Sequence, residues 1–88
     1  MDIVYVEDVP KRPAGFAEVY NDYSRDVWRF ALALSGDSAL ADDLTAEAFL
    51  RVWEGHRELR VETAKAYLLA IVRNLFRAEM RKQSRRVP

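Results

Sequence analysis

The chain has 88 residues, half of them hydrophobic, with 14 Lys/Arg balanced by 14 Asp/Glu, a single His and no Cys. That length makes one domain with a small core, burying only about 60–65% of its unfolded surface, so stability is modest. The composition argues against a disulfide scaffold and a zinc site, and no apolar run approaches the roughly 20 residues of a membrane span.

Residues 1–15 read as a flexible leader. Ile3-Val4-Tyr5-Val6 is β-like, but Pro10, Pro13 and Gly15 argue against a helix, and a lone strand would have nothing to pair with. Asp2, Glu7 and Asp8 stand where a signal peptide would carry a basic segment, so a cytoplasmic protein is expected.

A first helix is expected from Phe16 to Ser35. Phe16, Val19, Tyr20, Tyr23, Val27, Phe30, Ala31 and Leu34 recur at three- and four-residue steps, with Trp28 and Leu32 widening the stripe. The stripe is most simply core. Gly36 follows as a residue able to take the left-handed conformation.

A second helix follows Asp37 or Ser38, either of which can cap it, and runs to Glu54 with Gly55 as its stop. Leu40, Ala41, Leu44, Ala48 and Val52 form one apolar face. Ala46, Phe49, Leu50 and Trp53 form a second strip, bordered by Asp43, Glu47 and Glu54. Two apolar faces on one helix imply a middle helix packed on two neighbours, a contact with another protein, or both.

His56 to Glu62 is a short, highly charged connection, and His56 lacks any partner in a catalytic arrangement. A third helix runs from Thr63, a plausible cap, to Arg86. Leu68, Ile71, Val72, Leu75 and Phe76 fall on one side of it; Tyr67, Arg73, Asn74, Arg77, Arg81 and Arg85 fall on the other. Such a face can grip phosphates with Arg, hydrogen-bond a base edge with Asn and stack a base on Tyr. It can equally be a solvated charged face, helped by the helix dipole. Val87 and Pro88 read as the start of a linker or simply the end of the chain.

The balanced charge hides a polarity. Residues 1–56 hold five Lys/Arg and eleven Asp/Glu, a net −6, whereas residues 57–88 hold nine and three, a net +6. Either the halves attract one another within the fold, or they offer an acidic surface to a basic partner and a basic one to a polyanion.

An enzyme is the weakest reading. Asp42 and Asp43, adjacent on a helix, point about 100° apart, nothing apolar and concave is implied around them or Glu47 to shift a pKa, and no Gly-rich phosphate loop is present. Two non-enzymatic classes remain: a nucleic-acid-binding module, and a helical protein–protein adaptor that carries a basic helix.

Two stretches resemble a known family. Gly36-Asp37, then Ala41-Asp42-Asp43-Leu44-Thr45-Ala46-Glu47-Ala48-Phe49-Leu50-Arg51-Val52-Trp53, is similar to region 2 of bacterial sigma factors, most of all the extracytoplasmic-function group. The pattern there is GD, a gap, AEDL, a residue, QE, a residue, FL and an aromatic. Ala66-Tyr67-Leu68-Leu69-Ala70-Ile71-Val72-Arg73-Asn74, followed by Arg77, Arg81 and Lys82, resembles the family's WLxxIARN run and its trailing arginines. The first helix agrees in pattern only, so the resemblance covers residues 16–86.

The resemblance implies an all-α fold: the compact three-helix bundle of sigma region 2, with or without an extra short helix. It implies that Asp43, Ala46, Glu47 and Leu50 bind core RNA polymerase at the clamp helices of its largest subunit. It implies that Arg57, Arg60, Tyr67, Asn74, Arg77 and Arg81 engage the −10 promoter element and hold unpaired bases of the non-template strand. An anti-sigma factor is a further implied partner; no cofactor and no membrane are implied. Two positions depart from the pattern: Ala46 stands where Gln is usual, and Tyr67 where Trp is usual. The chain also ends where the linker to the family's −35-reading helix-turn-helix domain would begin.

Overall fold

The computed structural model describes residues 13–55 and 61–86. The β-like stretch Ile3–Val6, the connecting residues 56–60 and the tail 87–88 lie outside the described residues. Three helices make up the bundle: α1 Pro13–Ser35, α2 Ser38–Gly55 and α3 Val61–Arg86. The architecture is the all-α three-helix bundle expected.

α1 begins at Pro13, three residues before the expected start at Phe16. Pro13 and Gly15 therefore belong to a helix and not to a leader. Proline at the first helical position sacrifices no hydrogen bond, because that N–H has no intrahelical acceptor, and its fixed φ suits the helix. α3 likewise starts at Val61, which puts the expected cap Thr63 inside the helix.

Two residues join α1 to α2, and each does a distinct task. Gly36 has φ +68° and its N–H donates to the Leu32 carbonyl at 2.7 Å, closing α1 with a left-handed cap. Asp37 caps α2: its Oδ1 accepts from the N–H groups of Ala39 at 2.9 Å and Leu40 at 3.1 Å. So tight a connection turns α2 back along α1.

The core draws on all three helices: Val19, Val27 and Ala31 from α1; Ala41, Leu44, Ala48, Phe49 and Val52 from α2; Ala64, Leu68 and Val72 from α3. Val19, Val27, Leu68 and Val72 are its largest fully buried side chains, each worth about 1.5–3 kcal/mol of burial. Four fully buried alanines, Ala31, Ala41, Ala48 and Ala64, let the helix backbones approach closely. The helix that packs most extensively on both others is α1; the α2–α3 contact is the smallest of the three. α2 thus touches two neighbours, as its two apolar faces suggested, but it is not the centre of the bundle.

One member of the second apolar strip on α2 packs on a neighbouring helix, one of the two uses that strip allowed. Phe49 is only 3% exposed and takes the edges of Phe16 and Tyr20, with ring centroids 6.2 and 4.9 Å away. The two α1 aromatics reach over α2 at this point and cover it.

Candidate functional site

Burial of Ala64, Leu68 and Val72 fixes the roll of α3 about its axis. Tyr67, Arg73, Asn74, Arg77, Arg81 and Arg85 consequently face solvent, Tyr67 at 50% exposure. Glu79 is engaged by its own neighbours: Lys82 lies 3.8 Å away and Gln83 Nε2 donates to it at 3.2 Å. Among the described residues, no hydrogen bond or ion pair occupies the four stripe arginines. The basic half is tied to the acidic half by Lys65 on α3 and Asp26 on α1, at 3.3 Å. That is the one such tie among the described residues. Arg57 and Arg60 lie outside the described residues.

On α2, burial of Ala41, Leu44, Ala48 and Val52 turns Asp43, Ala46 and Leu50 to solvent, Leu50 at 46% exposure. Glu47 is half-exposed and accepts from Arg51 Nε at 3.0 Å, one turn along the same helix. An exposed pair of this kind is worth only a few tenths of a kcal/mol and leaves Glu47 accessible to another cation. Asp43 and Glu47, like Ala46 and Leu50, are four residues apart, so the four side chains form one acidic and apolar patch.

Sequence reasoning missed the contribution of α1. Phe16 meets Trp53 at 5.1 Å between ring centroids, Tyr20 meets Phe49, and Trp28 Nε1 donates to Asp42 Oδ1 at 2.7 Å. Numbers rise along α1 as they fall along α2, so the helices run antiparallel with paired ridges. Between the ridges lies an open furrow of about 430 Å³, lined by Tyr20, Ser24, Arg25, Trp28, Asp42, Thr45 and Ala46. Tyr20 is 47% exposed. Nothing in the periodicity separates it from the core residues of its stripe. Asp42 is exposed, and its carboxylate holds the Trp28 indole.

Among the described residues, no group of three or more His, Cys, Asp or Glu side chains could hold a metal ion, and no helix is long and apolar enough to cross a membrane.

Residues 19–86 match the family model described as sigma-70 region 2. Among curated proteins, the chain is 38% identical over 66 residues to the ECF RNA polymerase sigma factor SigL of Mycobacterium tuberculosis, covering 72% of this chain and 37% of that protein. It is 34% identical over 70 residues to the ECF RNA polymerase sigma factor SigM of Bacillus subtilis, covering 80% of this chain and 43% of that one. A third, EcfG of Rhodopseudomonas palustris, is 41% identical over 59 residues, covering 66% of this chain and 33% of its own length. The chain therefore spans less than half the length of these relatives. No solved structure matches it at the same stringency. The match extends from the first core residue of α1 to the last residue of α3, and on it the chain belongs to the sigma-70 region 2 family, among relatives that are ECF sigma factors.

Proposed function

We propose that this domain binds core RNA polymerase and opens the −10 promoter element by holding unpaired bases. Asp43, Ala46, Glu47 and Leu50 on α2 take the clamp helices of the largest polymerase subunit. Tyr67, Asn74, Arg77 and Arg81 on α3, with Arg57 and Arg60 ahead of it, take the non-template strand. The observation that carries the reading is the pair of unspent surfaces: an acidic, apolar patch on α2 and an arginine stripe with an embedded aromatic and amide on α3. A scaffold with only the first would be an adaptor; one with only the second, a generic DNA binder.

The energetics suit such a role. Separating strands costs stacking and pairing. A protein that hydrolyses nothing can meet that cost only by binding the open state better than the closed one. Each base stacked on an aromatic or held in a pocket returns about 1–3 kcal/mol. One Tyr67 and one amide are too few to open a duplex unaided, so polymerase contributes the remaining contacts.

Fluorescence anisotropy with core polymerase present tests this across a salt series. Single-stranded −10 non-template oligonucleotide should bind more tightly than the matching duplex. Affinity should fall with salt at a slope of roughly −0.7 per neutralised phosphate. Equal or tighter binding to duplex would leave a basic-helix DNA binder without melting.

A further inference from the structure

The furrow between α1 and α2 adjoins the patch assigned to polymerase, because Ala46 belongs to both. Tyr20, Ser24 and Trp28 follow one another at four-residue steps along α1, which sets the two rings at either end with Ser24 between them, and the small side chains Thr45 and Ala46 line the furrow from α2. Asp42 stands at the Trp28 end. Its Oδ1 accepts from the indole, which fixes the carboxylate and leaves Oδ2 for a second donor. A slot with small residues in the middle, aromatic faces at its ends and an oriented carboxylate suits a long side chain with a flat cationic head.

We propose that this furrow receives an arginine side chain from the partner helix that lies on Asp43, Glu47 and Leu50. The aliphatic stem of that arginine lies over Ala46 and the Thr45 methyl group. Its guanidinium stacks on the Tyr20 or Trp28 ring and donates to Asp42. Charge complementarity favours a cation: Glu47 and Arg51 pair with one another, which leaves Asp42 and Asp43 on this surface against Arg25, which lines the furrow. The proposal rests on the reading of α2 as the polymerase-facing helix and extends that interface onto α1.

Binding of the whole chain to cognate core RNA polymerase tests it, with Ala46→Gln, Asp42→Asn and Glu47→Lys compared with wild type. Ala46 is exposed and glutamine is a good helix former, so Ala46→Gln fills the furrow without disturbing the fold. Asp42→Asn keeps an acceptor for Trp28 and removes only the charge. Far-UV circular dichroism should be unchanged for both, and each should weaken binding about tenfold, the scale of a desolvated cation–π contact or charged hydrogen bond. Ala46→Gln gives opposite signs in the two cases: a longer side chain that merely adds a polar contact to polymerase would strengthen binding, whereas one that occupies the slot weakens it. Wild-type or tighter binding by Ala46→Gln, or unchanged binding by Asp42→Asn, overturns the arginine seat. If Glu47→Lys weakens binding while those two do not, the furrow alone is lost and the α2 patch stands. If Glu47→Lys binds like wild type, the patch assignment fails and the furrow fails with it.

Discussion

Gly36 and Asp37 hold the bend between α1 and α2 by different means, and substitution should separate them. At Gly36 a Cβ would meet no atom within 4 Å, so the cost of Gly36→Ala is conformational alone, about 1–2 kcal/mol for a left-handed non-glycine residue. Asp37→Ala removes the acceptor for two amide groups and should cost about 1 kcal/mol. Urea denaturation followed by circular dichroism measures both. If Asp37→Ala is neutral, Ser38 has taken over the cap. Both residues were legible in the sequence, because glycine and aspartate at a helix junction each answer a specific backbone need. The choice between Asp37 and Ser38 was not, since either side chain can accept from the first turn. The Thr45 hydroxyl was equally unreadable. It is buried without a hydrogen-bond partner, a cost that no sequence pattern announces.

At the level of elements, α3 was the easiest to read and α1 the most deceptive. The α3 stripe alternates with an apolar face at helical spacing, and burial of Leu68 and Val72 sets the arginines outward as the spacing required. Two substitutions on that face should diverge. Arg81→Ala should weaken binding to all single-stranded oligonucleotides about equally and flatten the salt slope by roughly 0.7, because a phosphate contact carries no sequence information. Asn74→Ala should cost discrimination between base sequences more than affinity. Anisotropy with core polymerase present, using −10 and scrambled oligonucleotides, reads both quantities. The reverse pattern would move the base-reading role away from Asn74. On α1, in contrast, Tyr20 shares its period with Val19, Tyr23 and Val27, and periodicity alone assigns all of them to the core. Tyr20 packs on Phe49 yet is left half in solvent, at the edge of the open furrow between α1 and α2.

For the whole molecule, the two candidate surfaces depend on one small core. Leu68 is fully buried, and Leu68→Ala should cost about 2–5 kcal/mol, a large share of the 5–15 kcal/mol that typically holds a domain together. Chemical denaturation should show the loss, and binding to polymerase and to single-stranded DNA should fall together. Arg81→Ala, by comparison, should spare polymerase binding. If Leu68→Ala impaired one activity and left stability intact, the two surfaces would not share a scaffold.

The helical class, the three elements and the outward face of α3 follow from the sequence alone. They depend on spacing within a single helix, and an amphipathic helix has one face it must bury. Helix starts were less secure. Pro13 and Val61 extend α1 and α3 beyond the expected ends, because first-turn residues have little to gain or lose. What only the tertiary structure decided are the properties of helix pairs. These are the inward turn of Phe49, the Trp28–Asp42 hydrogen bond, the central position of α1 and the furrow over Ala46. Each depends on which residue of one helix lies opposite which residue of another, and that register comes from packing small against large side chains across the interface, which no period along a single helix records.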